Sequence, residues 1–205
     1  MKRPTAAIVA GAVVLLGAPG FAGRPAFAQT VLIDFETYPG GDPVPEGARI
    51  TTQYLPWGVE LFSTTDPLGP VICRIALAGQ SGLNTLGGAG GFYEPISMDF
   101  AQPIIYCEIL ALDVGDNGLI LEAFNSQSQL VDSMTVVNPG LGVGEIDPMW
   151  VAGSDIVLVT ARQVTPGVSG DGYVMDDLTY TIPEPLTMSL LALGGLAVVR
   201  RRRGA

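Results

Sequence analysis

Between an apolar run near the N-terminus and another near the C-terminus, the chain never goes far without Gly, Pro, Asn or Asp. The segments between these breaks are rich in β-formers. No stretch of 29–182 keeps a 3.6-residue apolar period with caps for three turns. Short, broken, β-branched segments cannot become long helices, and they need a partner sheet to cover their apolar faces. The pattern predicts strands at 31–36, 58–63, 71–78, 96–100, 104–113, 119–125, 130–137, 155–162 and 173–182. In the last, Val174, Asp176, Leu178 and Tyr180 share a face; in the first, Val31, Ile33 and Phe35 do, with Asp34 and Glu36 opposite. Segment 104–112 is apolar on both faces, as a central strand is. Asp116-Asn117-Gly118 reads as a hairpin turn, because Asn-Gly tolerates positive φ. Gly-rich 87–91 reads as a loop. The expected fold is an all-β sandwich, jelly-roll-like, over 29–182. No fixed-period repeat supports a propeller or solenoid.

The two ends read as addresses. Lys2 and Arg3, an apolar run over 6–16 and Ala26-Phe27-Ala28 form the layout of a secretory signal, 1–28, cleaved after Ala28. At the other end Pro183-Glu184-Pro185 precedes an apolar stretch over 186–199 and then Arg200, Arg201, Arg202 and Arg203. As a helix that stretch spans roughly 21 Å, a short transmembrane segment, with its arginines on the cytoplasmic side. The expected topology is an exported domain, anchored transiently in the inner membrane. The two prolines hold Glu184 in an extended segment that a processing enzyme can grip.

Charge and residue types exclude several chemistries. Region 29–182 carries 19 acidic residues against Arg49, Arg74 and Arg162, a formal charge of −16, with no lysine or histidine. Nucleic acid is not an expected partner, since a polyanion needs a basic footprint. Without histidine there is no Ser-His-Asp or Cys-His arrangement. Carboxylate pairs can run glycoside hydrolysis, but Glu94, Asp99 and Glu108 are no better placed than the other acids. Gly140-Leu141-Gly142-Val143-Gly144 lacks the Lys-Ser/Thr and helix of a phosphate loop. Cys73 and Cys107 are the only cysteines; in an exported chain they form one disulfide or stay as two buried thiols. Trp57 and Trp150, with Tyr38, Tyr54 and Tyr93, are the candidates for stacking on sugar rings, against a core role.

The tail, 183–205, resembles the PEP-CTERM sorting signal: Pro183-Glu184-Pro185, a short apolar helix and Arg200–Arg203 in order at the terminus. That resemblance implies exosortase as the processing partner and Pro183, Glu184 and Pro185 as its recognition site. Ile33-Asp34-Phe35-Glu36, Gly58-Val59-Glu60-Leu61-Phe62 and Met175-Asp176-Asp177-Leu178 are similar to elements of exported jelly-roll domains of the carbohydrate-binding-module kind. This second resemblance implies a structural Ca²⁺ joining the first and last strands, with Asp34, Glu36, Asp176 and Asp177 as oxygen ligands. The expected protein is an exported, exosortase-processed component of the cell surface or exopolysaccharide matrix, non-catalytic and carbohydrate-binding. A purely structural or adhesive matrix protein is the alternative, and a secreted glycan hydrolase the third reading.

Overall fold

The computed structural model describes residues 28–74, 82–88, 91–139, 144–165 and 172–184. They belong to one compact unit, 27–186. Nine strands run in order: β1 (Gln29–Ile33), β2 (Val59–Ser63), β3 (Val71–Arg74), β4 (Asn84–Gly87), β5 (Ile96–Leu112), β6 (Leu119–Asn125), β7 (Leu130–Val136), β8 (Ile146–Gln163) and β9 (Val174–Ile182). Every pairing between them is antiparallel.

Two long strands create the two layers. The second half of β5 lies between β9 and the first half of β8, through Cys107↔Tyr180 and Cys107↔Val151. Its first half lies between β2 and the second half of β8, through Met98↔Leu61 and Met98↔Val159. Both strands change layer where their register slips, between Asp99 and Tyr106 on β5 and opposite this on β8. Pro103 has no N–H to give there, and Asp155 holds φ 62. Bulges of this kind bend a strand and raise its twist. The front layer is β3-β4-β9-β5-β8, with β1 also on β9; the back layer is β2-β5-β8-β6-β7.

Side-chain alternation fills the space between the layers. Ile33, Cys107, Ile109, Val151, Leu178 and Tyr180 point in from the front. Leu61, Met98, Phe100, Leu121 and Val159 meet them from the back, all fully or almost fully buried. Each such aliphatic or aromatic side chain contributes about 1.5–3 kcal/mol by leaving water. Polar pins fix the loops. Asn84 is buried, and its Nδ2 donates to the carbonyls of Phe35 (3.0 Å) and Val44 (2.9 Å). The Tyr180 hydroxyl donates to the Trp57 carbonyl, tying the 3-10 turn Leu55–Trp57 to β9.

Several expectations need correction. The sandwich was expected to carry an N-terminal signal helix and a short transmembrane helix, and transient inner-membrane anchoring rested on the second. No helix among the described residues is long and apolar enough to cross a membrane. Their single helical element is the three-residue turn Leu55–Trp57, so the described residues supply no such anchor. The segments concerned, 1–27 and 185–205, with Ala26, Pro185 and Arg200–Arg203, lie outside the described residues. Asn117-Gly118 does not close a hairpin: β6 pairs with β7 and β8, not with β5. Its turn, with Gly118 at φ 63, instead carries the chain from β5 to β6. Strands expected at 96–100 and 104–113 are one strand, and β4 and the first half of β8 were not foreseen.

Candidate functional site: an aromatic face on the front layer

Period-two alternation turns every second side chain of the front layer outward. On β5, Cys107 and Ile109 are buried, so Tyr106 and Glu108 face out. On β8, Met149 and Val151 are buried, so Pro148, Trp150 and Ala152 face out. Register then builds two rows across four strands. Leu32, Thr179, Glu108 and Trp150 form one; Thr30, Thr181, Tyr106 and Ala152 form the other. At about 4.8 Å per strand each row is roughly 14 Å long.

Trp150 is 49 % exposed. Its ring lies 6.4 Å from that of Tyr106, with 20° between the planes. The Tyr106 hydroxyl donates to Glu108 Oε2 at 2.5 Å. Burial first, and the Glu108 carboxylate second, push its pKa up to about 12. Near neutral pH the phenol therefore stays a donor, and the second oxygen of Glu108 remains an acceptor on the face. The hydroxyls of Thr30 and Thr181 lie 3.3 Å apart in the adjoining row.

The backbone beneath Trp150 is held from the side. In this half of β8, alternate N–H groups point away from β5. Pro148 has none; Trp150 N–H donates to Met134 Sδ at 3.4 Å and Ala152 N–H to Asp132 Oδ2 at 2.8 Å. Side chains of β7 thus close an edge that would otherwise offer itself to another strand. Segment 146–152 escaped sequence reading for this reason. Its proline argues against a strand, yet an edge position tolerates one. Tyr106 was missed as well, although Tyr106 and Glu108 alternating with Cys107 and Ile109 carried the signal.

The other expected site residues are dispersed. Trp57 is half-buried against the core and stacks on Tyr54 at 5.6 Å, so it belongs to a different cluster from Trp150. Tyr38 packs on Tyr54 as well, and Tyr93 is exposed on a loop. Cys73 and Cys107 are free thiols. Strands β4 and β9 stand between β3 and β5, so about 14 Å of sheet separates them, twice the roughly 7 Å a disulfide tolerates. Asp99 faces out from the back layer and Glu108 from the front, so these carboxylates do not oppose each other across a cleft. Glu94 sits half-buried in the turn before β5.

The first and last strands do pair, Ile33 against Leu178, which places Asp34 near Asp177. Three of these acids take backbone partners. Glu36 Oε1 accepts from the N–H groups of Leu83 (2.6 Å) and Asn84 (2.7 Å). Asp34 Oδ1 accepts from Glu36 N–H at 3.1 Å, and Asp176 Oδ1 from Asp177 N–H at 2.8 Å. Among the described residues no three acidic, histidine or cysteine side chains are grouped to hold a metal ion.

No family model and no curated protein matches this chain. Solved structures similar to it include distant ones. A mutant of a family 29 carbohydrate-binding module is 11 % identical with a TM-score of 0.40, covering 75 % of this chain and 91 % of that one. A family 35 carbohydrate-binding module from Clostridium thermocellum is 15 % identical with a TM-score of 0.35, covering 62 % and 98 %. An exo-β-agarase is 12 % identical with a TM-score of 0.39, and 25 % of its chain is covered.

Proposed function

We propose that this chain is a non-catalytic binder of neutral polysaccharide, and that the outward face of its front layer is the binding surface. The observation that carries this reading is the near-parallel Tyr106–Trp150 pair with the Glu108 carboxylate beside it. A pyranose ring has one face of C–H groups, which packs on an aromatic plane, and an edge of hydroxyls, which needs donors and acceptors within reach. Rigid aromatic rings on a sheet offer area at little entropic cost. The ligand is neutral because the face supplies a carboxylate and no cation. Arg49 is paired with Asp66, Arg162 with Glu122, and Arg74 lies on β3 beside Asn84. The similar solved structures include carbohydrate-binding modules, and a glycan-binding role agrees with them without resting on them. Calorimetric titration with cellohexaose, xylohexaose, mannohexaose and laminarihexaose tests the reading. Binding to at least one, lost in Trp150→Ala, supports it; no binding to any of the four overturns it.

The sequence tail supports a setting for this activity. Ala26-Phe27-Ala28 at one end and Pro183-Glu184-Pro185 with Arg200–Arg203 at the other fit an exported protein processed by exosortase, with exopolysaccharide as its ligand. Mass spectrometry of the mature protein checks this: a C-terminus still at Ala205 in a strain with active exosortase refutes it.

A further inference from the structure

On the opposite side of the sandwich, the outer face of the back layer holds a cleft of about 400 Å³. Its walls come from Phe62 on β2 and Phe124 on β6, with β5 and β8 between them. Asp99 and Leu158, register partners on those two central strands, form the floor. The cleft exists because of a bulge. β6 pairs Phe124 with Leu158 and then Asn125 with Ile156, which leaves Val157 over. Val157 and Leu158 are therefore both half-buried on successive positions, where regular alternation would hide one of them.

The rim is preordered by the β6–β7 hairpin. Asn125 Oδ1 accepts from the N–H groups of Gln127 (3.0 Å) and Gln129 (2.9 Å), and the Ser126 hydroxyl donates to Asp155 Oδ2 at 2.5 Å. Ser128 also lines the opening. The volume falls within the range of small-ligand sites, and so does the mix of apolar walls with few polar groups. No cation lines it; the nearest register neighbour with positive charge, Arg162, is engaged by both oxygens of Glu122 at 2.7 and 2.9 Å. Phosphates and carboxylates therefore find no partner. A neutral ring with one C–H face and several hydroxyls finds two phenyl walls, a carboxylate acceptor and serine hydroxyls.

We propose that this cleft is a second saccharide site, taking a single neutral sugar unit or chain end independently of the Tyr106–Trp150 face. One chain then holds sugar on both outer faces of its sandwich, which would let it bridge two polysaccharide strands without a partner subunit. The test is amide and indole NMR of the whole domain, titrated with the methyl glycosides of glucose, galactose, mannose and xylose. At least one should shift the amides of Asp99, Ser126 and Leu158. Those shifts should persist in Trp150→Ala, and weaken about tenfold or more in Asp99→Ala, where a charged acceptor is lost. Asp99 is exposed, so that variant keeps its fold; Phe62→Leu, which keeps the strand apolar, should also weaken binding. Silence of the three amides towards all four glycosides overturns the proposal, as do shifts of equal strength in Asp99→Ala and Phe62→Leu. A failure of the front face alone shows separately, as an unmoved Trp150 indole.

Discussion

Trp150 and Tyr106 sit diagonally on adjacent strands, two positions out of direct register, and their rings lie within 20° of parallel at 6.4 Å. Neither residue alone makes a surface. Together, over a layer whose inward side chains are locked in the core, they make a stacked aromatic pair next to a carboxylate. If the face binds sugar, Trp150→Ala should weaken the bound hexasaccharide at least tenfold, the loss of a buried aromatic contact of about 1.5 kcal/mol or more. Unfolding free energy should fall by no more than about 1.5 kcal/mol, the worth of the ring pair. Tyr106→Phe keeps the ring and removes the hydroxyl, so it should weaken binding less than Trp150→Ala. The reverse order would place recognition in the Tyr106–Glu108 hydrogen bond.

Glu36 is a structural carboxylate. Its two backbone donors are Leu83, just before β4, and Asn84, its first residue, and Asn84 in turn holds the carbonyls of Phe35 and Val44. Glu36→Ala should cost about 1–2 kcal/mol in urea unfolding, since one part-buried and one exposed N–H group lose a charged acceptor. Melting temperature should rise equally with Ca²⁺ and with NaCl at matched ionic strength. A larger response to Ca²⁺ that vanishes in Asp176→Asn would restore a metal site at these acids.

Alkaline pH should unfold the domain through its tyrosines. Burial pushes the phenols of Tyr54, Tyr173 and Tyr180 upward, and that of Tyr106 to about 12. In the unfolded chain they ionise near 10. A raised folded pKa means that the folded state keeps its proton longer. The contribution is therefore complete below about pH 10 and is lost as pH climbs through the folded values. Tyrosinate absorbance and circular dichroism should change together above pH 10. Ionisation of these four residues with the β-signal intact would contradict their burial.

The thiols should react in order. Cys73 is half-buried and Cys107 wholly buried, and burial raises both pKa values. In native protein a thiol-specific reagent should label Cys73 slowly and leave Cys107 untouched. After unfolding without reductant, both should label. A chain with no free thiol on unfolding would require strands β3 and β5 to meet, against the observed order.

Much of the architecture was local and therefore legible. Alternation does describe Leu178 and Tyr180 on the inward face of β9, but a register slip at Asp177, with φ 48, gives Met175 the inward position in the first half of the strand in place of Val174 and Asp176; β6 occupies the predicted 119–125. Period-two patterning and turn chemistry act over a few residues, so sequence alone determines most strands and, between bulges, which side chains share a face. What only the tertiary structure decided lies between strands far apart in sequence. Residues 96–112 became one strand serving two layers, because register slips at Asp99–Tyr106 let it bend without ending. Segment 146–152 became a strand despite Pro148, because β7 supplies the side chains that close its edge. Trp150 met Tyr106 and missed Trp57 for the same reason. Asp34 came beside Asp177 as β1 and β9 paired, and Glu36 took the backbone N–H groups of Leu83 and Asn84 at the start of the neighbouring β4. A sequence states what each side chain would accept as a neighbour; register and bulges, set by the packing of the whole sandwich, choose the neighbour it has.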